Sequence, residues 1–200
     1  MFRRRRMRQF RDAFDLSTVP QILDVGGTPL FWCQEPFKVD VSLMNIDSSH
    51  DGQAKAHGMR LLIGDGCELP FKNRQFDIIF SNSTIEHVGS WERQLQFAAE
   101  ARRVGRGIWV QTPAAEFFVE PHLLTPWVHH RSLAWQKRWL KRISVRSWLD
   151  RWQQSDVDAH LAEVRLISES EMRVLFPDCA IIKERFLGLT KSYIAFRPIS

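Results

Sequence analysis

Two hundred residues with 44% hydrophobic content can form one ordinary core, so a single domain over residues 1–200 is expected. The apolar runs are too short to span a membrane and the arginine-rich start lacks the apolar stretch of a secretion signal, which points to a cytoplasmic protein. The net charge of +5 is unevenly spread: residues 1–11 hold six arginines and no acid, residues 131–152 hold seven bases against Asp150, and the remaining body is net acidic.

Residues 1–11 read as a basic tail. Short Val- and Ile-rich runs then alternate with polar stretches, the pattern of parallel strands separated by crossovers. Five strands are expected, at 21–26, 42–47, 60–64, 76–82 and 107–112. Between the last two, Ser90 is placed to cap a helix that runs to Val104 and stops at Gly105. A helix over Ser168–Phe176 ends at Pro177. Two apolar runs around Gly188 follow, which suits an antiparallel pair. Cys33, Cys67 and Cys179 form neither a CxxC pair nor a metal-ligand pattern, so no disulfide framework is expected.

In an open α/β sheet, ligands bind beyond the carboxyl ends of the strands, and here those ends are polar. The first supplies Asp24, Gly26 and Gly27, the second Asp47, the third Asp65, Gly66 and Cys67, and the fourth Ser81 and Asn82. Glycine after the first strand lets backbone approach a ligand closely. An acid closing the second strand is placed to accept hydrogen bonds from ribose hydroxyls.

The segments ILDVGG, NID, GDGCELPF, FDIIFSNSTIEHV and GIWVQTP resemble the successive motifs of class I S-adenosylmethionine-dependent methyltransferases of the broad small-molecule type, over residues 21–113. The ending FLGLTKSYIAF is similar to that family's closing hairpin. The resemblance implies an α/β, Rossmann-like, seven-stranded sheet, mostly parallel with an antiparallel last strand and helices on both faces. It also implies S-adenosyl-L-methionine as cofactor, with the methionine part at Gly26, the ribose at Asp47 and the adenine at Asp65 beside Cys67. Two departures stand out: Thr28-Pro29 occupies the usual second-glycine position, and Val104-Gly105-Arg106-Gly107 replaces the Pro-Gly-Gly before the fifth strand.

Ser81-Asn82-Ser83-Thr84 stands where relatives that methylate amide or adenine nitrogens carry Asn/Asp-Pro-Pro-aromatic. An oxygen, carbon or other nitrogen on a small-molecule or lipid- or sugar-linked acceptor is expected instead. Glu86 and His87 follow at the mouth of the site, either as catalytic groups or as a pair that orders the loop. His122 and His129, in the segment after the fifth strand, are further candidates for a base or an acceptor-binding group, against structural roles in a bent loop. No metal is expected, since one Glu and one His supply too few ligands.

Residues 114–167 read as a helical lid insertion. Five of the eight tryptophans fall within 127–152, interleaved with the basic residues, on two short amphipathic helices or one broken near Ser144. The stretch serves as a lid over the acceptor or, with residues 1–11, as a contact to an anionic inner membrane surface. Nucleic acid fits less well with a net-acidic body. Two rival readings share parts of the pattern. A nicotinamide-dependent oxidoreductase has the same glycine turn but calls for neither Asp65-Gly66 nor the final hairpin. A non-catalytic scaffold of the same fold is kept open by Thr28-Pro29.

Overall fold

The computed structural model describes residues 2–37, 39–120 and 122–199. Helix α1 (Phe2–Ala13) leads into β1 (Gln21–Val25), α2 (Pro29–Cys33), β2 (Asp40–Asn45), α3 (Asp51–Ala56), β3 (Arg60–Ile63), β4 (Phe76–Asn82), α4 (Trp91–Val104) and β5 (Gly105–Pro113). A cover follows, made of the two-residue strands β6 (Val119–Glu120) and β7 (Thr125–Pro126) and the helices α5 (Leu133–Ile143), α6 (Val145–Leu149) and α7 (Gln154–Glu163). The chain closes with α8 (Glu169–Leu175), β8 (Ala180–Phe186) and β9 (Leu189–Arg197).

Seven strands form one sheet in the order β3-β2-β1-β4-β5-β9-β8. Neighbours among β1 to β5 pair in parallel, while β9 is antiparallel to both β5 and β8. The expected architecture is therefore present. Strand residues alternate between two cores, as a period of two requires: Leu23 and Ile79 face one, Ile22, Ile78 and Trp109 the other. The turn joining β8 to β9 places both Leu187 and Gly188 at positive φ, the backbone that matches the twist of a tight hairpin.

Three local findings refine the sequence reading. Residues 1–11 were expected to form a basic tail; from Phe2 onward they are instead part of a packed helix. In α1, Met7 and Phe10, with Phe14 just beyond its end, fill the second core, and Arg6 is buried against Glu184. The physical reason is a stripe of apolar residues at helical spacing among the arginines. Ser144 does break the insertion, ending α5 and capping α6 through its side chain. The cover also carries a small core of its own, Leu123, Val128, Leu140 and Val157, with α7 contributing the last. Among the described residues, no helix is long and apolar enough to cross a membrane.

Candidate active site at the strand ends

The loop after β1 is shaped by close contacts that leave no room for side chains. Gly26 has φ +80°, and a Cβ there would overlap the Thr84 side chain. A Cβ on Gly27 would meet the Asp24 carboxylate at 1.8 Å. The Gly27 carbonyl accepts from Asn45 Nδ2 at 2.9 Å. Thr28 precedes α2, and Pro29 occupies its first turn, where a missing N–H costs nothing. The unusual Thr28-Pro29 is thus a helix start. Gly66 plays a similar part after β3, since a Cβ would press on Val25 and Phe97.

These loops border a cavity of about 430 Å³ at the carboxyl ends of β1 to β4. Gly26, Asp65 and Gly66 line it, together with Asn45, Ile46, Thr84, Arg93 and Phe97. Asp65 accepts from Arg93 at 2.7 Å and from the Cys67 amide at 2.9 Å. Partial burial works against its charge, but these donors hold the carboxyl below its ordinary range. Cys67 is buried beside it. Desolvation and the neighbouring charge push its thiol up to about 11, so it packs as a neutral group.

The other expected cofactor residues sit off the cavity wall. Asp47 is exposed, two residues beyond β2, and accepts from the Ser49 amide at 2.8 Å. Ser81 donates to the Val25 carbonyl at 2.9 Å and braces β1 against β4. Asn82 accepts from Arg6. Asp24 lies behind the loop, where Trp32 Nε1 donates to it at 2.7 Å and its second oxygen has no hydrogen-bond partner among the described residues. Full burial pushes the Asp24 carboxyl up to about 7.

A second constellation adjoins the cavity through His87, which lines it. Glu86 and His87 lie in a 3-10 turn over Ile85–His87. His87 Nε2 is 3.1 Å from His122 Nε2, and Glu86 Oε1 is 3.9 Å from the same His122 nitrogen. Thr112 Oγ1 donates to Glu86 Oε2 at 2.9 Å. Complete burial pushes the Glu86 carboxyl up to about 7. His129 is not part of this group: its Nε2 bonds the Ala115 carbonyl at 3.1 Å, and it borders a separate cavity.

Arg93, Asn45, Glu120 and Glu163 were not singled out from sequence. Arg93 has no spacing signal that would pair it with Asp65. Glu163 had one, since His160 and Glu163 lie three apart on α7 and share a face.

The cavity suits a nucleoside cofactor on its own chemistry. Its volume falls in the usual range for small-molecule sites, Ile46 and Phe97 supply apolar surface for a purine, and the Asp65 carboxylate is available to an amino group. Bare backbone at Gly26 permits close approach. Residues 23–107 match the family model described as a methyltransferase domain. The whole fold is similar to a solved S-adenosylmethionine-dependent methyltransferase from Methanosarcina mazei, at 12% identity and TM-score 0.59 over 94% of each chain. It is also similar to phosphoethanolamine N-methyltransferase 2 from Haemonchus contortus, solved with S-adenosyl-L-methionine, at 12% identity and TM-score 0.60 over 90% of this chain and 38% of that one. A third is mitomycin 7-O-methyltransferase, at 13% identity and TM-score 0.56 over 96% and 52%. No curated protein matches the chain in sequence. Residues 23–107 are thus matched by a methyltransferase domain, within a fold shared with solved S-adenosylmethionine-dependent methyltransferases, and both findings support S-adenosyl-L-methionine as the cofactor.

Proposed function

We propose that this chain is an S-adenosylmethionine-dependent methyltransferase that acts on a small-molecule or lipid- or sugar-linked acceptor seated between the strand-end cavity and the helical cover. The observation that carries this reading is His87, which lines the cofactor cavity and also belongs to the polar group with Glu86 and His122. The bound cofactor supplies an electrophilic methyl group on a positively charged sulfur. Transfer is an in-line displacement whose rate depends chiefly on how the acceptor is held. Glu86, His87 and His122 are placed to orient a polar acceptor and to take its proton where one must leave. Gly26 and Asp65 hold the methionine and adenine ends in this reading, and Asp47 reaches the ribose from the rim.

Calorimetric titration tests it directly. The protein binds S-adenosylmethionine and not NADH, and Asp47→Ala or Asp65→Ala weakens binding about 10- to 100-fold, as expected for loss of a hydrogen bond to a carboxylate. Binding of NADH, or indifference to both substitutions, would overturn the cofactor assignment.

A specific surface favours an acceptor presented at a membrane. On α5 and α6, Leu133, Val145, Trp148 and Leu149 are exposed, Trp148 at 78%, beside exposed Arg142 and Arg146. Tryptophan with basic residues is the composition of interfacial helices. The expected outcome is co-sedimentation with vesicles containing anionic lipid and loss of it in Trp148→Ala/Leu149→Ala. Removal of residues 131–152 is a poor test, because it deletes Leu140 from the cover's core. Equal sedimentation of wild type and variant refutes the membrane contact.

A further inference from the structure

We infer that Glu86, His87 and His122 form a binding site for one divalent transition-metal ion, with Glu86 Oε1 and the two histidine Nε2 atoms as ligands. The three ligand atoms lie within 4.8 Å of one another. The imidazole rings stand at 86° with centroids 4.7 Å apart, a T-shaped contact that brings the two Nε2 atoms to 3.1 Å. A tetrahedral ion with bonds of about 2.0–2.1 Å sets its ligand atoms roughly 3.3 Å apart. The distances of 3.1 Å between the histidines and 3.9 Å from His122 to Glu86 bracket that edge.

Proton bookkeeping leads to the same place. His87 Nδ1 lies 3.2 Å from Glu163 Oε1, and His122 Nδ1 lies 2.7 Å from Glu120 Oε1. Ionised carboxylates only accept, so each Nδ1 carries the proton of its ring. With both rings neutral, the two Nε2 atoms present lone pairs to each other at hydrogen-bonding distance. Glu86 Oε1 adds a third electron-pair donor, fully buried and without a hydrogen-bond partner among the described residues. A shared proton would satisfy the two histidines and leave Glu86 Oε1 unpaired. One cation satisfies all three.

The surroundings are those of a metal centre. Each ligand is oriented from behind by a hydrogen bond on its other atom: Glu163 on His87, Glu120 on His122, Thr112 on Glu86. Carboxylates on the far nitrogen of metal-bound histidines fix the tautomer and strengthen the ligand. Two imidazoles and one carboxylate suit zinc, manganese or iron more than magnesium or calcium. Because His87 also lines the cofactor cavity, a free coordination position on that side is open to an acceptor oxygen, whose proton the ion would make easier to remove. That consequence rests on the proposed methyl transfer; metal binding itself does not.

The test is metal titration of chelator-treated full-length protein. Zn²⁺ and Mn²⁺ are followed by calorimetry and Co²⁺ by its visible absorption, with no cofactor present. The expected result is one ion per chain and a Co²⁺ spectrum of a four- or five-coordinate site. His122→Ala and the isosteric Glu86→Gln lower affinity at least 100-fold, Glu120→Gln lowers it about 10- to 100-fold, and all three keep the wild-type circular dichroism. No stoichiometric binding by the wild type, or binding that survives both ligand substitutions, overturns the site. S-adenosylmethionine titration of the same samples is a separate readout, so failure of the metal site and failure of the cofactor assignment are told apart.

Discussion

Asp24 is a carboxyl placed where charge is costly, and its effect on stability has a definite sign. Buried beside Gly27 and held by Trp32, it titrates at about 7 in the fold against an ordinary value of 3.8. Between those values the folded chain holds a proton that the unfolded chain has released, so stability falls as pH rises through this window. The contribution is complete below about pH 4 and lost above about pH 7, on the order of 4 kcal/mol. Asp24→Asn keeps an acceptor for the indole and is expected to flatten the dependence. Denaturant melts of both proteins at pH 5 and pH 8 check this, and equal slopes would refute it. At this scale the motif was legible in the sequence but its wiring was not. ILDVGG announces a tight turn, whereas the reason Gly27 must lack a side chain is the Asp24 carboxylate behind it, a contact that no spacing encodes.

Helix α1 shows how an element can hide inside its own charge. Met7, Phe10 and Phe14 are spaced three and four apart, a helical stripe, yet the surrounding arginines make the segment read as solvated. Phe10 meets Phe80 at 5.2 Å and Trp109 at 5.6 Å between ring centroids, so the stripe closes one face of the sheet. Arg6 binds Glu184 through Nη2 at 2.6 Å and Nε at 3.1 Å, and Gln111 at 2.8 Å. Removing the cation alone strands a buried carboxylate. Arg6→Ala is therefore expected to cost about 3–5 kcal/mol, and Arg6→Met with Glu184→Leu much less. Chemical unfolding of the single and double variants measures it; equal losses would argue against a paired-charge origin. The parallel strands were legible because burial on both faces writes itself as apolar runs. Their ends shifted by two residues at β2, where Ile46 and Asp47 lie past the ladder.

At the scale of the whole molecule, the active region is assembled from segments far apart in the chain. Glu86 and His87 follow β4, His122 enters from the cover's first loop and Glu163 from the end of α7. The cover is fastened to the sheet near that point: the Arg165 amide donates to the Glu86 carbonyl at 2.8 Å, and Arg165 Nη1 to Gln94 at 2.7 Å. Sequence showed the histidines as separate candidates, because side chains 35 residues apart carry no local sign of meeting. The same holds for the exposed face of α5 and α6. Its composition was legible, but which part of the stripe stays uncovered depends on how Leu140 and Val157 pack.

The position of β9 between β5 and β8 also governs when the molecule can exist during synthesis. The strand β9 that flanks β5 is made after every other strand of this sheet, so until residues 189–197 emerge, that side of β5 presents an unpaired edge. Arg6 likewise waits for Glu184, 178 residues further along the chain. Closing this sheet therefore rests on contacts of long sequence separation, which are slow to form because the intervening chain must be ordered first.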